Sequence, residues 1–324
     1  MTRPILDVRN LSTHFTTRRG TIKAVDDVSF AVGPREIVGL VGESGSGKSI
    51  TGFSILGLVD PPGRIVSGQI LFDGQNLLNL PSRSMREIRG KRIAMIFQDP
   101  MMTLNPVLSI GTQMIETLLA HEKMSRAEAR ARSRDTLGLV GIPSPEERLD
   151  AYPHQFSGGM RQRVAIAISL LHRPDLIIAD EPTTALDVTI QSQILFEIKR
   201  LAQEFGMALI WISHDLGVVA ALADRIMVMY AGRIVEAGPV DGVLARPAHP
   251  YTSGLLNAVP AAVPRGQPLQ PIPGMAPSPL DRPSGCSFRD RCVRATASCA
   301  AEPALEQAAD REWRCFHPHA WRAA

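Results

Sequence analysis

Residues 37–49 read I-V-G-L-V-G-E-S-G-S-G-K-S. The opening apolar run predicts a buried strand, and the residues after Ser49 are compatible with a helix. The last eight fit G-x-x-x-x-G-K-[ST], in which glycines let backbone N–H groups converge on phosphates while Lys48 and Ser49 serve the β/γ-phosphates and Mg²⁺. A glycine-rich turn before a helix is the simpler alternative. The strand, the lysine and the serine together favour a phosphate-binding loop.

Composition sets the class of protein. The 324 residues are 44% hydrophobic and 21% charged, with 35 Lys+Arg against 32 Asp+Glu. This is globular composition, long enough for two domains or for one large domain with an appendage. A net charge of +3 gives no reason to expect nucleic acid as a partner. We see no secretory signal and no apolar run of membrane-spanning length, so we expect a cytosolic chain, which could still dock on a membrane protein.

Strand and helix patterns alternate over the first 245 residues. Apolar runs predict strands at residues 68–72, 93–97, 176–180, 208–212 and 226–230. Residues 109–139 look like a separate helical layer, with Ser125 and Glu128 as a capping box. The Arg-rich run 126–134 within it is interpreted as a solvated helix face rather than a binding patch. The alternation predicts a mainly parallel sheet covered on both faces.

Two carboxylates follow one of these strands, in L-I-I-A-D-E (176–181). Open α/β sheets bind ligands at the carboxyl ends of their strands. We expect Asp180 to hold Mg²⁺, directly or through water, and Glu181 to orient and deprotonate an attacking water. Two acids after a strand are more often a loop start or a helix cap. The phosphate-binding pattern at 42–49 reverses that preference.

A third pattern consists of Ser157, Gly158 and Gly159 before an apolar helical run. Small residues at a helix N-terminus leave N–H groups free to bind an anion. Alone the triplet is weak evidence, because most such triplets are flexible loops.

Taken together, the motifs resemble those of the ATP-binding-cassette (ABC) ATPases over roughly residues 5–245. Six landmarks follow the order and approximate spacing of that family: the Walker A loop Gly42–Ser49, the Q-loop Gln98, the signature Ser157–Gly159, the Walker B Asp180 with the catalytic Glu181, the D-loop Asp187 and the switch His214. The resemblance implies an α/β fold, with a P-loop NTPase (RecA-like) core, an antiparallel β subdomain and an inserted α-helical subdomain. It also implies ATP hydrolysis with Mg²⁺ in a head-to-tail sandwich of two cassettes, where each signature completes the partner's site.

The resemblance also gives individual residues their expected roles. Catalysis falls to Lys48, Gln98, Glu181 and His214. The Mg²⁺ ligands are Ser49, Gln98 and Asp180. The nucleotide contacts are Phe15, Gly42, Ser44, Gly45, Gly47, Lys48, Ser49, Ile50, Gln98, Ser157, Gly158, Gly159, Asp180 and Asp187.

Three of these assignments keep a structural alternative. Phe15, the candidate for stacking on the base, is equally well explained as a core residue of an edge strand. His214 is otherwise a hydrogen-bonded structural histidine, although the switch is favoured. Gln98 is otherwise a surface residue at a strand end.

A closer resemblance is to the ATPase subunits of oligopeptide/dipeptide importers, particularly the D-type. It is carried by F-Q-D-P-M-M-T-L-N-P (97–106), Y-P-H-Q-F-S-G-G-M-R-Q-R (152–163), H-P-Y-T-S-G-L-L (249–256) and a Cys-bearing tail. It implies a peripheral subunit on the cytoplasmic face of the membrane, which powers peptide import. The implied partners are two permeases, a second homologous ATPase, favoured as a heterodimer, and an extracytoplasmic substrate-binding protein. The rivals are a soluble ABC protein of translation or DNA repair and an Fe–S protein that merely carries a nucleotide domain.

The expected domains are a cassette at 1–245, with its helical subdomain at about 100–165, a Pro-rich linker or wrap at 246–284 and a cysteine module at 285–324. The only cysteines are Cys286, Cys292, Cys299 and Cys315, spaced C-x5-C-x6-C-x15-C. Zinc sites usually contain C-x2-4-C pairs, disulfides fit poorly without a signal sequence, and free thiols would not explain the clustering. The irregular spacing is compatible with a [4Fe–4S] cluster, which several resembling importer ATPases carry. Zinc and unligated or oxidised thiols stay open.

Overall fold

The computed structural model describes residues 3–184, 186–259 and 271–319. The strands are β1 (Leu6–Thr17), β2 (Gly20–Val32), β3 (Ile37–Val41), β4 (Gly63–Phe72), β5 (Gln75–Asn76), β6 (Ile93–Ile96), β7 (Leu176–Asp180), β8 (Ala208–Ser213), β9 (Arg225–Tyr230), β10 (Arg233–Pro239), β11 (Glu306–Ala308) and β12 (Arg311–Trp313). The helices are α1 (Lys48–Leu56), α2 (Ser82–Ile88), α3 (Ile110–Leu119), α4 (Arg126–Leu139), α5 (Pro145–Leu149), α6 (Gly158–Leu170), α7 (Val188–Phe205), α8 (Leu216–Leu222), α9 (Val240–Ala245) and α10 (Pro250–Asn257). None of these helices has the length and apolar character needed to cross a membrane. Part of the Pro-rich stretch, residues 260–270, lies outside the described residues.

The chain forms two compact units. The sheet-rich unit contains residues 6–32, 36–78 and the described part of 212–319, and the helix-rich unit contains residues 3–5, 33–35 and the described part of 79–211. Strand β8 crosses from one unit to the other in the chain.

Two sheets build the sheet-rich unit. The first is antiparallel, in the order β2-β1-β4-β5. The second has the order β11-β12-β10-β9-β3, with β3 and β9 parallel and the other pairs antiparallel. The predicted parallel sheet is therefore extended by antiparallel strands, two of which come from the cysteine-bearing tail. Tail residue Trp313 pairs with Glu236, so backbone hydrogen bonds hold a segment that has little apolar sequence of its own.

The helix-rich unit combines strands in the order β8-β7-β6 with a group of packed helices. Strand β6 pairs with β7 in parallel. Helix α4 packs against α3, α5 and α6, and it begins at Ser125, whose side chain forms the predicted capping box with Glu128. Every residue of β7 is buried, as its continuous apolar run predicts.

Candidate functional site

The phosphate loop joins β3 to α1, and two of its glycines, Gly42 and Gly47, are sterically required. Gly42 has φ 153°, and a Cβ there would lie 2.1 Å from the Met229 carbonyl oxygen. Gly47 has φ 107°, and a Cβ there would lie 2.2 Å from the Ala24 carbonyl oxygen. Neither distance is possible for a real Cβ, and both φ values lie in the region that favours glycine. The sequence pattern therefore records close backbone packing around the loop.

Lys48 lies inside this loop with 5% of its surface exposed. Its Nζ donates to the carbonyl oxygens of Gly42 at 2.9 Å and Glu43 at 3.1 Å. The ammonium group is thus held at the loop that leads into α1, whose first turn contains Ser49 and Ile50. An electropositive loop of this kind suits an anionic group such as a polyphosphate.

The outer part of the loop is more open. Ser44 and Gly45 are exposed, and Gly45 has φ 77° with open space where a Cβ would stand. Ser46 is anchored, because its carbonyl accepts a hydrogen bond from the Gly232 N–H at 2.8 Å.

The two predicted carboxylates lie at the end of β7. Asp180 is 4% exposed, and Glu181 follows it with φ 45°. The Glu181 Oε2 accepts hydrogen bonds from Gln98 Nε2 at 3.3 Å and from Thr184 Oγ1 at 3.1 Å. The fold thus brings together two residues, Gln98 and Glu181, that the sequence predicted as partners in the same chemistry.

Ser157 and Asp187 are both helix N-caps in the helix-rich unit. The Ser157 hydroxyl accepts from the Met160 N–H at 3.3 Å to begin α6, and the Asp187 carboxylate accepts from the Ile190 N–H at 2.9 Å to begin α7. Both side chains are exposed, and so is Gly158, while Gly159 is half-buried. Their capping function is structural and holds whether or not they also meet a nucleotide.

Phe15 and His214 belong to the sheet-rich unit. Phe15 pairs with Ile22 on β2 and Gly63 on β4, so β1 lies between two strands. The alternative of an edge strand is wrong, because β2 forms a hairpin with β1 and β4 pairs with the other edge of β1. The Phe15 ring is half-buried against Gly63, where a Cβ would approach it to 2.5 Å. His214 is exposed between β8 and α8.

The predicted residues are shared between the units. The sheet-rich unit holds Phe15, the phosphate loop and His214, while the helix-rich unit holds Gln98, Ser157–Gly159, Asp180, Glu181 and Asp187.

Comparisons with known proteins agree with these motifs. Residues 25–184 match the family model described as ABC transporter, and residues 235–299 match the oligopeptide/dipeptide transporter C-terminal region. The chain is 47% identical over 316 residues to the dipeptide transport ATP-binding protein DppD of Escherichia coli (strain K12), covering 97% of each chain. It is 48% identical over 315 residues to the oligopeptide transport ATP-binding protein OppD of the same strain, covering 97% of this chain and 93% of that one.

A solved structure matches as well. It is the dimeric structure of a post-hydrolysis state of the ATP-binding cassette MJ0796 bound to ADP and Pi, with a TM-score of 0.66 and 27% identity, covering 72% of this chain and 98% of that one.

The chain belongs to the ABC transporter family. It is the ATP-binding subunit of a peptide importer, and its enzymatic activity is ATP hydrolysis. The rival assignments, a soluble ABC ATPase or an Fe–S protein outside transport, are not favoured.

The four cysteines of this ABC ATPase are free thiols, and two of them are joined through their backbones. The Cys286 N–H donates to the Cys299 carbonyl at 3.0 Å. Burial raises the pKa of Cys315 to about 11, against a hydrogen bond from the His317 N–H, and the other three cysteines push this pKa in the same direction as burial.

Further properties bear on whether these thiols suit a metal centre. Burial also raises the pKa of Cys286 and Cys292. Backbone N–H groups point at two sulfurs, with Arg294 N 3.4 Å from Cys292 Sγ and His317 N 3.3 Å from Cys315 Sγ. The donor chemistry fits an iron–sulfur cluster, yet among the described residues no group of three or more His, Cys, Asp or Glu side chains is arranged to hold a metal ion.

Sequence patterns missed a second set of residues around the phosphate loop. The Tyr251 hydroxyl accepts from the Glu43 N–H at 2.9 Å, and Arg291 forms an ion pair with the Glu43 carboxylate. Only Tyr251 had a signal, since it lies in the stretch 249–256 that carries the family resemblance. Arg291 had none, because nothing in a local pattern tells which arginine of a tail reaches a loop far away in the chain.

Proposed function

We propose that this ABC ATPase binds Mg²⁺–ATP through residues 42–49 and that Glu181 is the base that activates the attacking water. The observation that carries the proposal is the hydrogen bond between Gln98 and Glu181 at the carboxyl end of β7. On binding, Lys48 exchanges its loop carbonyls for the β/γ-phosphates. Gln98 keeps the Glu181 carboxylate oriented for proton abstraction.

The remaining roles are proposed from the family resemblance and from the chemistry of the side chains. Ser49, Asp180 and Gln98 supply the oxygen ligands that Mg²⁺ prefers, and Mg²⁺ neutralises phosphate charge when bound. His214 contacts the γ-phosphate, and Phe15 stacks on the base.

Two substitutions separate binding from hydrolysis. Lys48→Ala removes the charge that meets the phosphates, so we expect weaker ATP binding. Glu181→Gln keeps the shape but not the base, so it should bind ATP and barely hydrolyse it. Glu116→Gln, on the exposed side of α3, is the matched control. Hydrolysis at the parental rate in Glu181→Gln would exclude the assigned base.

We further propose that two cassettes act together, with Ser157–Gly159 meeting the nucleotide of the opposite subunit. In support, these residues stand at the N-terminus of α6, where free N–H groups favour an anion, and the similar MJ0796 cassette is dimeric. The head-to-tail arrangement predicts that the specific ATPase activity rises with protein concentration.

Ser157→Ala tests this arrangement against a simple loss of helix capping. Ser125→Ala is the control, because it removes another serine N-cap in the same unit, at a cost of about 1 kcal/mol. Only Ser157→Ala should lower hydrolysis, with ATP binding by the isolated chain unchanged. Equal losses in the two variants, or a specific activity independent of concentration, would contradict the sandwich.

The proposed assembly contains two membrane permeases, a related second ATPase rather than an identical copy, and an extracytoplasmic substrate-binding protein. This subunit would attach peripherally at the cytoplasmic face. The support is the match to the oligopeptide/dipeptide C-terminal region and to transport ATP-binding proteins. Purification from detergent-solubilised membranes should recover the permeases together with two different ATPase chains. Recovery of this chain without permeases would contradict the proposal.

Within the chain, the proposed division is a cassette at 1–245 with a helical insertion at about 100–165, a Pro-rich wrap at 246–284 and a cysteine module at 285–324. Limited proteolysis should cut first within the wrap. The cut module should stay bound, since β12 pairs with β10.

We also propose that Cys286, Cys292, Cys299 and Cys315 bind a [4Fe–4S] cluster of structural or regulatory function. The support is the clustering of the four cysteines in the tail, with backbone N–H groups directed at the sulfurs of Cys292 and Cys315. Anaerobically purified protein should be brown and contain iron and acid-labile sulfide, and Cys292→Ser should lose both. A colourless preparation with stoichiometric zinc would overturn the cluster and leave the ATPase untouched.

A further inference from the structure

Glu43, the second residue of the phosphate loop, is held by an arginine from the C-terminal tail. Arg291 donates from Nη1 to Glu43 Oε2 at 2.6 Å and from Nη2 to Glu43 Oε1 at 3.0 Å. Only 7% of the Arg291 side chain and 31% of the Glu43 side chain are exposed. A two-pronged pair of this kind defines direction as well as distance, so it can hold the loop in one geometry.

Arg291 is itself fixed before it reaches the loop. Its Nε donates to the Pro273 carbonyl at 2.9 Å, and its Nη1 lies 3.4 Å from the Tyr230 hydroxyl. The guanidinium carbon lies 6.0 Å from the centre of the Phe288 ring. Hydrogen bonding to Glu43 raises the pKa of Arg291 further above its ordinary value, so the charge is permanent. A side chain anchored at three points besides Glu43 has little freedom left to lose when it holds that partner.

An aromatic cluster attaches this part of the tail to the rest of the unit. Phe288 packs edge-on against Tyr230, with ring centres 5.2 Å apart, and lies 5.3 Å from Tyr251. Tyr251 in turn holds the loop, since its hydroxyl accepts the Glu43 N–H. The tail therefore contacts Glu43 in two ways. Arg291 binds the Glu43 carboxylate directly, and Phe288 packs near Tyr251, whose hydroxyl binds the Glu43 backbone N–H.

The same residue touches the nucleotide-binding lysine. The Glu43 carbonyl accepts hydrogen bonds from Lys48 Nζ at 3.1 Å and from the Ser46 N–H at 3.2 Å. Beside it, residues 43–46 and the tail residues 276–279 line a pocket of about 250 Å³. Any displacement of Glu43 thus moves a group in contact with Lys48.

We propose that Arg291 is a positioning residue for nucleotide binding, through which the C-terminal tail holds the phosphate loop ready for the polyphosphate. The inference rests on the proposed nucleotide role of residues 42–49. A loop already held in its binding geometry loses less conformational freedom when the ligand arrives, so its affinity is higher.

The test measures ATP and ADP affinity of the full chain by equilibrium binding, together with the thermal midpoint of unfolding. We expect Arg291→Gln to weaken ATP binding by about tenfold and Arg291→Lys, which keeps the charge but loses the fork, to fall between it and the parent. Arg289→Gln is the control, because Arg289 is in the same turn but pairs with Asp290 and the Ser284 carbonyl. It should bind ATP like the parent.

Glu43→Gln provides a second route that does not disturb the tail. It should lose about as much ATP affinity as Arg291→Gln. The double variant should lose no more than either single variant, because both substitutions remove the same Arg291–Glu43 interaction. If Arg291→Gln fails to fold, Glu43→Gln and Arg291→Lys carry the test.

The outcomes separate the inference from the function on which it rests. If Arg291→Gln or Glu43→Gln lowers only the thermal midpoint and binds ATP like the parent, while Lys48→Ala loses affinity, the contact is merely structural and the proposal is overturned. Equal losses in Arg289→Gln and Arg291→Gln overturn it too. If Lys48→Ala also binds ATP normally, the proposed nucleotide role of the loop itself fails.

Discussion

Two segments of this ABC ATPase are rich in arginine and use it in opposite ways. In residues 126–134 of the helix-rich unit, arginines form ion pairs in water: Arg130, which binds Glu146 and Asp150, is 35% exposed and its partners 56% and 71%. In the tail of the sheet-rich unit, the pair between Arg311 and Glu236 is buried. Arg311 is 3% exposed and its partner Glu236 is not exposed at all. The same residue type thus serves solubility in one segment and attachment in the other.

The difference teaches that burial, rather than the count of ion pairs, decides what an arginine does for this fold. An exposed pair gains little over two solvated ions. A buried pair is costly to form, yet its loss is costly as well, since removal of one partner leaves a charge in a medium that cannot solvate it. Tail arginines reach acids across the sheet-rich unit, including Asp26 by Arg282 and Asp27 by Arg314. The tail is therefore fastened by charge in addition to the aromatic contacts of Phe288.

The sharpest test of the comparison is Arg311→Met. Glu236 would remain buried, with hydrogen bonds only from the Ala248 and His249 N–H groups. We expect a loss of about 3–5 kcal/mol in the free energy of unfolding, measured by denaturant titration. In a double-mutant cycle with Glu236→Gln, the sum of the stability losses of the two single variants should exceed the stability loss of the double variant. A loss below about 1 kcal/mol would show that this buried pair behaves like a surface pair.

A second test adds charge to the same buried region by lowering the pH. Burial, assisted by His319, lowers the pKa of His249 to about 3. The unfolded chain takes up a proton near pH 6.5, whereas the folded chain does not. Stability should therefore fall as the pH drops below about 6.5, by up to about 1.4 kcal/mol per pH unit from this group.

The check is the free energy of unfolding of the parent and of His249→Gln between pH 7 and pH 5. The variant should lose this part of the pH dependence, while His154→Gln, exposed on the helix-rich unit, should keep it. Identical pH profiles for the parent and His249→Gln would refute the buried, neutral histidine.

The smallest effect on stability is expected in the exposed segment, residues 126–134. Arg130→Ala removes two ion pairs at once, and we expect less than about 1 kcal/mol of lost stability, reduced further by salt. Thermal unfolding at low and high ionic strength measures it. A loss as large as that of Arg311→Met would mean that the surface pairs act as a cooperative network, and the contrast between the two segments would fail.

Several parts of the fold were predictable because their causes are local. The capping box at Ser125 depends on residues three positions apart, and the buried strand β7 on one continuous apolar run. The phosphate loop could be recognised because its glycines and lysine lie within eight consecutive residues, 42–49. The interior position of β1 was not predictable, since the hairpin that covers its edge has no strong turn signal.

The sequence by itself determined the class of protein and the chemistry that it performs. The motifs from Gly42 to His214 each need specific residue types at short spacing, so they can be recognised without a structure. Only the tertiary structure decided which groups meet across long separations. Glu43 and Arg291 lie 248 positions apart, and the tail that contains Arg291 is also held by β12 pairing with β10 and by Phe288 packing against Tyr230. Long-range contacts of this kind come from the summed packing of many elements, and the sequence near either residue carries no record of them.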